Sequence, residues 1–176
     1  PADITTTVDE GECYATGVSL GTPDISDNCD IGTVTITNNA PAQYDVGENQ
    51  VLWTVTDNDG NQITHVQIVT VNDDEGPVIS DCPGDITLIS SGDNCEAVAN
   101  WTPPTVTDPC SGIQSLIPDS PPGTSFPLGE TTVIYTATDN KENTSTCSFT
   151  VTVNDEAPTI SCLTDQTRNT DPNSCS

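Results

Sequence analysis

Positive charge is nearly missing from this 176-residue chain: Lys141 and Arg168 are its only lysine and arginine, His65 is its one histidine, and 27 acidic residues bring the formal net charge to −25. A surface so short of cations repels nucleic acid and anionic membrane, so neither is expected as a partner. No stretch is apolar enough to span a bilayer and no basic-plus-apolar leader is present, so membrane insertion is not expected. Methionine is absent and aromatics are few (two Trp, three Tyr, two Phe), which points to thin cores that need support beyond apolar burial. Eight cysteines with no CxxC pair and almost no histidine argue for disulfides over zinc, and so for an extracellular, secreted or surface setting. Strong acidity can mean disorder, but this chain is rich in the β-branched residues and cysteines that disordered chains lack. No phosphate-cradling glycine loop, zinc spacing or nucleophile constellation occurs, and nothing marks a carboxylate pair on a cleft. No catalytic residue is assigned and an enzyme is not expected.

What the chain does contain is repetition. The segment 51-VLWTVTDNDGN-61 aligns with 133-VIYTATDNKEN-143, and 66-VQIVTVND-73 with 148-SFTVTVND-155, both 82 residues apart. At the front 1-PADITTTVDEGEC-13 matches 83-PGDITLISSGDNC-95 at the same offset, while 23-PDISDNC-29 matches 104-PTVTDPC-110 at 81. A further opening stands at 163-LTDQTRNTDPNSC-175. Repeats of about 80 residues are large enough for their own cores, so they read as tandem domains rather than solenoid turns. The expected division is residues 1–73, residues 74–155, and residues 156–176 as a linker and the first strand of a third unit. The phrase 72-NDDEGPVISDCP-83 and its echo 154-NDEAPTISCL-163 are then linkers within a longer array of the same repeat.

Within a unit the hydrophobic period is two. In 148-SFTVTV-153, Phe149, Val151 and Val153 share one face; in 131-TTVIYTAT-138, Val133, Tyr135 and Ala137 do. Short alternating runs separated by Gly, Pro, Asn and Asp read as antiparallel strands, roughly seven per unit. The expected fold class is all-β, tandem immunoglobulin-like antiparallel β-sandwiches. Trp53 and Tyr135, Leu20 and Trp101, and Tyr44 and Phe126 occupy equivalent places and read as core rather than as a sugar-stacking platform.

The second unit carries Cys82-Pro83, Asn94-Cys95, Asp108-Pro109-Cys110, 125-SFPLGETTVIYTATDN-140 and 147-CSFTVTV-153. On these residues it resembles the hyalin repeat (HYR) domain, an extracellular immunoglobulin-like module found in tandem in adhesive and cell-surface proteins. The first unit departs from the pattern, with His65 at the place of Cys147. The resemblance implies an extracellular sandwich, a role in adhesion or matrix, and no catalysis. Resemblance and spacing together suggest Cys13 with Cys29, Cys95 with Cys110, and Cys82 with Cys147, although four cysteines allow three connectivities. Cys162 and Cys175 would be free reactive thiols or, the favoured reading, find partners in the remainder of a third unit. A neighbouring molecule completing its first unit with residues 159–176 is disfavoured by the same arithmetic. Cys162 would meet His65, and Cys175 would compete with Cys13 for Cys29.

The acidic clusters suggest a cation. In an array of this kind the linker Asp73, Asp74 and Glu75 runs past the loop at Asp108 and the loop bearing Asp139 and Asn140. Converging carboxylates repel one another, and a hard divalent ion such as calcium, with six to eight oxygen ligands, would relieve that and stiffen the joint. The first unit offers Asp24, Asp27 and Asp30 near Asp57 and Asp59, and the next joint offers Asp155 and Glu156. A merely solvated acidic surface is the competing reading. Asp57-Asn58-Asp59-Gly60-Asn61 looks like the start of an EF-hand, but its glycine comes at the fourth position and no downstream Glu closes a loop. His65 reads as a plain strand residue. Sequons stand at Asn100 and Asn143, and Asn143 competes between a glycan and the loop site. The function expected is a structural repeat of an extracellular adhesin, stalk or fibre, stiffened by disulfides and calcium. Its partners would be further copies of the repeat, with self-assembly into filaments, and a glycan. The alternative is a module that binds carbohydrate or a mineral surface.

Overall fold

Runs in which β-branched residues alternate with threonine leave each run one apolar face, and in the computed structural model those runs pair into sheets. The structure describes residues 1–26, 34–91 and 95–158, and no helix occurs among them. The first half holds β1 (Ile4–Thr7), β2 (Tyr14–Thr16), β3 (Thr35–Asn38), β4 (Gln43–Asp45), β5 (Gly47–Thr56) and β6 (Gln62–Asn72). The second holds β7 (Val78–Ser80), β8 (Ile86–Ile89), β9 (Glu96–Val98), β10 (Thr105–Thr107), β11 (Ile113–Pro118), β12 (Ser125–Pro127), β13 (Gly129–Asp139) and β14 (Thr144–Asn154).

A four-stranded sheet in the order β1-β6-β5-β3 packs against the β2–β4 pair, and β11-β13-β14-β8 packs against β9–β12, with β7–β10 as a further pair. This is the expected all-β, immunoglobulin-like sandwich layering. The pairings repeat with the sequence offset. Ile4 opposite Val69 recurs as Ile86 opposite Val151, and Gly47 opposite Val71 recurs as Gly129 opposite Val153. The expectation of purely antiparallel strands is corrected at one edge of each large sheet. β1 runs parallel to β6, and β8 parallel to β14. Parallel neighbours need a long crossover, and the four intervening strands of the first half supply it.

Alternation sends Val133, Tyr135, Ala137, Phe149, Val151 and Val153 inward, and all are buried. One core joins Val133, Tyr135, Phe149, Val151 and Val153 to Ala97, Ala99 and Phe126; the other joins Val51, Trp53, Val69 and Val71 to Val8, Ala15 and Tyr44. Leu20 and Trp101 pack partly buried against their respective cores, so all six expected core positions are in place. The two cores solve the same volume differently. The Trp53 indole N–H donates to Gln67 Oε1 at 2.9 Å, and the buried Gln67 amide donates onward to the Ala2 carbonyl. Where the first half has Gln67 the second has Phe149, and there Trp101 stands edge-on at 5.0 Å and donates to the Tyr135 hydroxyl.

The recurring P-x-D-I phrase also finds its reason. Asp3 Oδ1 accepts the Ile68 N–H, and Asp85 Oδ1 accepts the Thr150 N–H, both at 2.8 Å. Each aspartate ties the entry of the first strand to the last strand of its sheet.

Candidate metal centre

The segment that follows β6 is pinned rather than loose. Asp73 and Pro77 are buried, and the Asp73 carbonyl accepts from the Asn143 side-chain amide at 3.2 Å. Gly76 lies so close to β14 that a Cβ there would come within 2.7 Å of Ser145 Oγ and 2.8 Å of the Thr144 carbonyl oxygen, so only glycine fits. This contact sets the linker over the end of the second half that carries the β13–β14 turn.

Asp73 and Asp108 meet beside it, and Glu75 lines the same cavity. Asp73 Oδ1 accepts the Glu75 N–H at 3.2 Å, but its other oxygen, Oδ2, is buried and has no hydrogen-bond partner. Asp108, just past β10, gathers the N–H groups of Cys110, Ser111 and Gly112 onto Oδ1. That leaves its second oxygen uncommitted in those contacts. Glu75 Oε1 accepts the Gly11 N–H at 2.8 Å. Ligand-capable atoms of Asp73, Asp108 and Cys110 lie within 4.8 Å of one another. They line a cavity of about 90 Å³ together with Gly11, Glu75 and Thr107. The Cys110 sulfur is tied up in a disulfide, so the oxygens are the donors a hard cation would use. Burying an ionised carboxylate oxygen without a partner is costly, and a bound cation removes that cost.

The other expected ligands sit elsewhere. Asp139 is fully buried, and it holds the β13–β14 turn. Its Oδ1 accepts the N–H groups of Lys141 and Asn143, and its Oδ2 accepts from the Asn143 amide and the Ser111 hydroxyl. Burial alone would push its carboxyl up, but those four donors outweigh it and hold the group below the usual aspartate range. Asn140 donates to the Ser111 carbonyl, tying the same turn to the Asp108 loop. Asp57 does the corresponding work in the first half. It accepts the N–H groups of Asp59 and Asn61 and the Asn61 side-chain amide, and the Asn61 amide leads in holding its carboxyl below the ordinary value. Gly60, at φ 85°, supplies the left-handed residue of this hairpin turn. Asp24, Asp59, Asp74, Asp155 and Glu156 are exposed and join no cluster among the described residues. Asp27 and Asp30 lie outside the described residues.

Both amide contacts of Asn143, to Asp139 and Asp73, are internal to the chain. Asn100 is exposed. His65 is an exposed strand residue opposite Trp53.

The disulfides divide. Cys82 bonds Cys147, as the resemblance implied. Cys110 does not bond Cys95 but Cys13, 97 residues away with Cα atoms 5.0 Å apart, and Cys95 is free and exposed. The reason is position along the sandwich. Cys110 stands beside the β13–β14 turn, where the Asn140 N–H donates to the Gly112 carbonyl. Cys95 stands near the far end of β14, where the Ser90 N–H donates to the Asn154 carbonyl. An 11-residue strand separates those ends by about 34 Å, whereas a disulfide needs Cα atoms about 4.4–6.8 Å apart. Cys13 and Cys110 instead clamp the exit end of the first half to the entry end of the second, right against the Asp73–Asp108 cluster. Cys29, the partner expected for Cys13, lies outside the described residues, as do Cys162 and Cys175. Digestion at acidic residues without reduction is expected to yield a peptide linking Cys13 to Cys110 and a maleimide-reactive Cys95; a Cys95–Cys110 peptide would reverse the assignment.

Asp73, Glu75 and Asp108, which the sequence set at one joint, line one cavity, but the burial that leaves Asp73 Oδ2 without a partner had no signal in the sequence. The HYR domain family model matches residues 72–153. Hyalin of Lytechinus variegatus is 34% identical over 167 residues, which is 86% of this chain and 31% of that protein. Hyalin of Strongylocentrotus purpuratus is 33% identical over 178 residues, 96% of this chain and 14% of that protein. A Rattus norvegicus protein described as sushi, von Willebrand factor type A, EGF and pentraxin domain-containing protein 1 is 36% identical over 116 residues, 64% of this chain and 3% of its own length. The chain thus spans less than a third of each of these relatives. Among solved structures, the fibronectin(III)-like modules of Clostridium thermocellum CbhA align over 79% of this chain and 88% of theirs, at 15% identity and a TM-score of 0.33.

Proposed function

Residues 72–153 of this chain belong to the HYR domain family, and from that premise we propose that the chain is a tandem structural segment of an extracellular adhesion protein, non-catalytic and stiffened at its joint by calcium. The units are residues 1–73 and 74–155, with residues 156–176 opening a third. Support for two units comes from two separate cores and from strand registers that recur 82 residues apart. Two disulfides suit an oxidising compartment.

The single observation that carries the calcium reading is the buried Asp73 Oδ2 without a partner, on a carboxylate that has an oxygen within 4.8 Å of one of Asp108's. Calcium there would bridge the linker to the Asp108 loop, completing its six to eight oxygens with Glu75, backbone carbonyls and water. Linker, disulfide and ion would then act on one place. The buried Pro77 and the close-packed Gly76 already restrict the linker, and the Cys13–Cys110 bond restricts the loops on either side. A joint so held transmits tension along a stalk or fibre instead of folding back.

Thermal unfolding of the oxidised chain is expected to show a midpoint that rises with calcium concentration, since a ligand at 100 times its Kd stabilises by about 2.7 kcal/mol. Magnesium should do less, because it tolerates only a tighter octahedral shell. Asp73→Asn and Asp108→Asn should each abolish the calcium-dependent rise while the chain still folds. A midpoint indifferent to calcium, or a rise that survives both substitutions, removes the ion from the account.

A further inference from the structure

We propose that the Cys13–Cys110 bond and calcium at the Asp73–Asp108 joint are coupled. A small thiol–disulfide pair in solution then sets the affinity for calcium, and calcium sets how readily the bond is reduced. The proposal rests on the calcium reading above and adds redox control of that same site.

The bridge stands one step from each side of the ligand pair. Cys110 Sγ lies within 4.8 Å of carboxylate oxygens of both Asp73 and Asp108. On the second-half side, the Cys110 N–H donates to Asp108 Oδ1 at 2.9 Å, so a displacement of Cys110 carries Asp108 with it. On the first-half side, Cys13 ends a tight turn in which the Glu12 N–H donates to the Asp9 carbonyl and Gly11 takes φ 76°. That turn presents the Gly11 N–H to Glu75 Oε1 at 2.8 Å, and the Glu75 N–H donates in turn to Asp73 Oδ1. The bond therefore joins Asp108 to the turn that holds Glu75 and Asp73, and it fixes how far apart the two groups of oxygens stand.

With the bond open, the turn at Gly11 and the loop at Asp108 meet through hydrogen bonds of the linker, from Gly11 to Glu75 and from Asn143 to the Asp73 carbonyl. Part of the binding energy of calcium must then go into ordering segments that the bond orders beforehand. The exchange balances with two equivalents of a small thiol such as glutathione. The protein S–S bond takes up two electrons and two protons to give two cysteine thiols, and the two small thiols lose them to form one disulfide. Cys13 and Cys110 are half-buried rather than enclosed, so a thiol of that size reaches them. Linkage is reciprocal: the factor by which the bond raises calcium affinity is the factor by which calcium raises the equilibrium resistance of the bond to reduction. The joint is slack when reduced and short of calcium, and it locks cooperatively where an oxidising pair and calcium are met together.

Calorimetric calcium titration compares the oxidised chain with the double variant Cys13→Ser/Cys110→Ser, which keeps Cys82–Cys147. The Kd of the variant should be weaker by about tenfold or more, within the roughly 5–150-fold range usual for coupled sites. A second measurement uses the native chain, equilibrated with reduced and oxidised glutathione, quenched and mapped by peptide mass. Saturating calcium should shift the Cys13–Cys110 equilibrium constant by the same factor, which for tenfold is about 30 mV in a two-electron couple. Asp73→Asn should erase that shift. Because this measurement needs no cysteine variant, it decides the matter even where the double variant fails to fold. Calcium bound equally well in both redox states overturns the coupling and leaves the calcium reading standing. A chain that binds calcium in neither state overturns both, and a shift that persists in Asp73→Asn overturns the assignment to this joint.

Discussion

Removing the bond between Cys82 and Cys147 by double substitution to alanine is expected to destabilise the second half by roughly 4 kcal/mol. The bond closes a loop of 65 residues within one sandwich, and the chain-entropy relation gives that order for a loop of this length. The core it supports has only eight buried members among the described residues, three of them alanine or aromatic residues from the small sheet or just beside it, so little else offsets the loss. For a domain of this size the midpoint should fall by on the order of 15 °C or more. The first half supplies the internal comparison, because His65 stands where Cys147 does and the fold there closes without that bond. Denaturant titration followed at Trp101 in the double variant, with Trp53 reporting on the first half, separates the two. A shift below about 1 kcal/mol would mean that the first strand is held by its hydrogen bonds to β10 and not by the disulfide.

Asp139→Ala should cost about 3 kcal/mol, nearly all of it in the second half. The carboxylate is buried and accepts four hydrogen bonds, so alanine strands the N–H groups of Lys141 and Asn143, the Asn143 amide and the Ser111 hydroxyl. Because Ser111 follows Cys110 and Asn143 holds the Asp73 carbonyl, the damage should reach the joint, and the calcium-dependent rise should shrink in the same variant. Asp57→Ala in the first half removes a more exposed carboxylate with no serine hydroxyl on it among the contacts seen, and the loss there should be smaller. The pH dependence has a definite sign. Asp139 is held below its ordinary value in the folded state, so the stability it contributes is fully present above the unfolded pKa of about 3.9 and is lost as pH falls through the lower folded value. Acid titration of unfolding should therefore show a component below about pH 4 that vanishes in Asp139→Ala. If the variant keeps that component, another carboxylate carries it.

Much of this could be read without a fold. Period-two alternation announced β13 and β14, because a strand's inward and outward faces are set by neighbouring residues alone. The recurrence at 82 residues placed Trp53 against Tyr135 and Tyr44 against Phe126 as core, and both pairs are buried, because a repeated pattern repeats its packing. The pairing of Cys82 with Cys147 was legible through resemblance. Which acid matters was not. Asp139 and Asp57 look like ion ligands in a polar loop, and only the hydrogen bonds show that each holds the turn that follows it. Asp73, one of several acids in its run, is singled out only by burial of an oxygen that nothing nearby satisfies. The cysteines make the distinction plainest. Cys95 and Cys110 are close in sequence and far apart in space, because the chain between them travels the length of the sandwich. Cys13 and Cys110 are far apart in sequence and bonded, because the exit of one half abuts the entry of the next. Local chemistry and repetition determined the strands and the cores; which distant groups meet at the joint was decided by the packing of whole strands, whose ends lie tens of ångströms apart whatever the spacing in sequence.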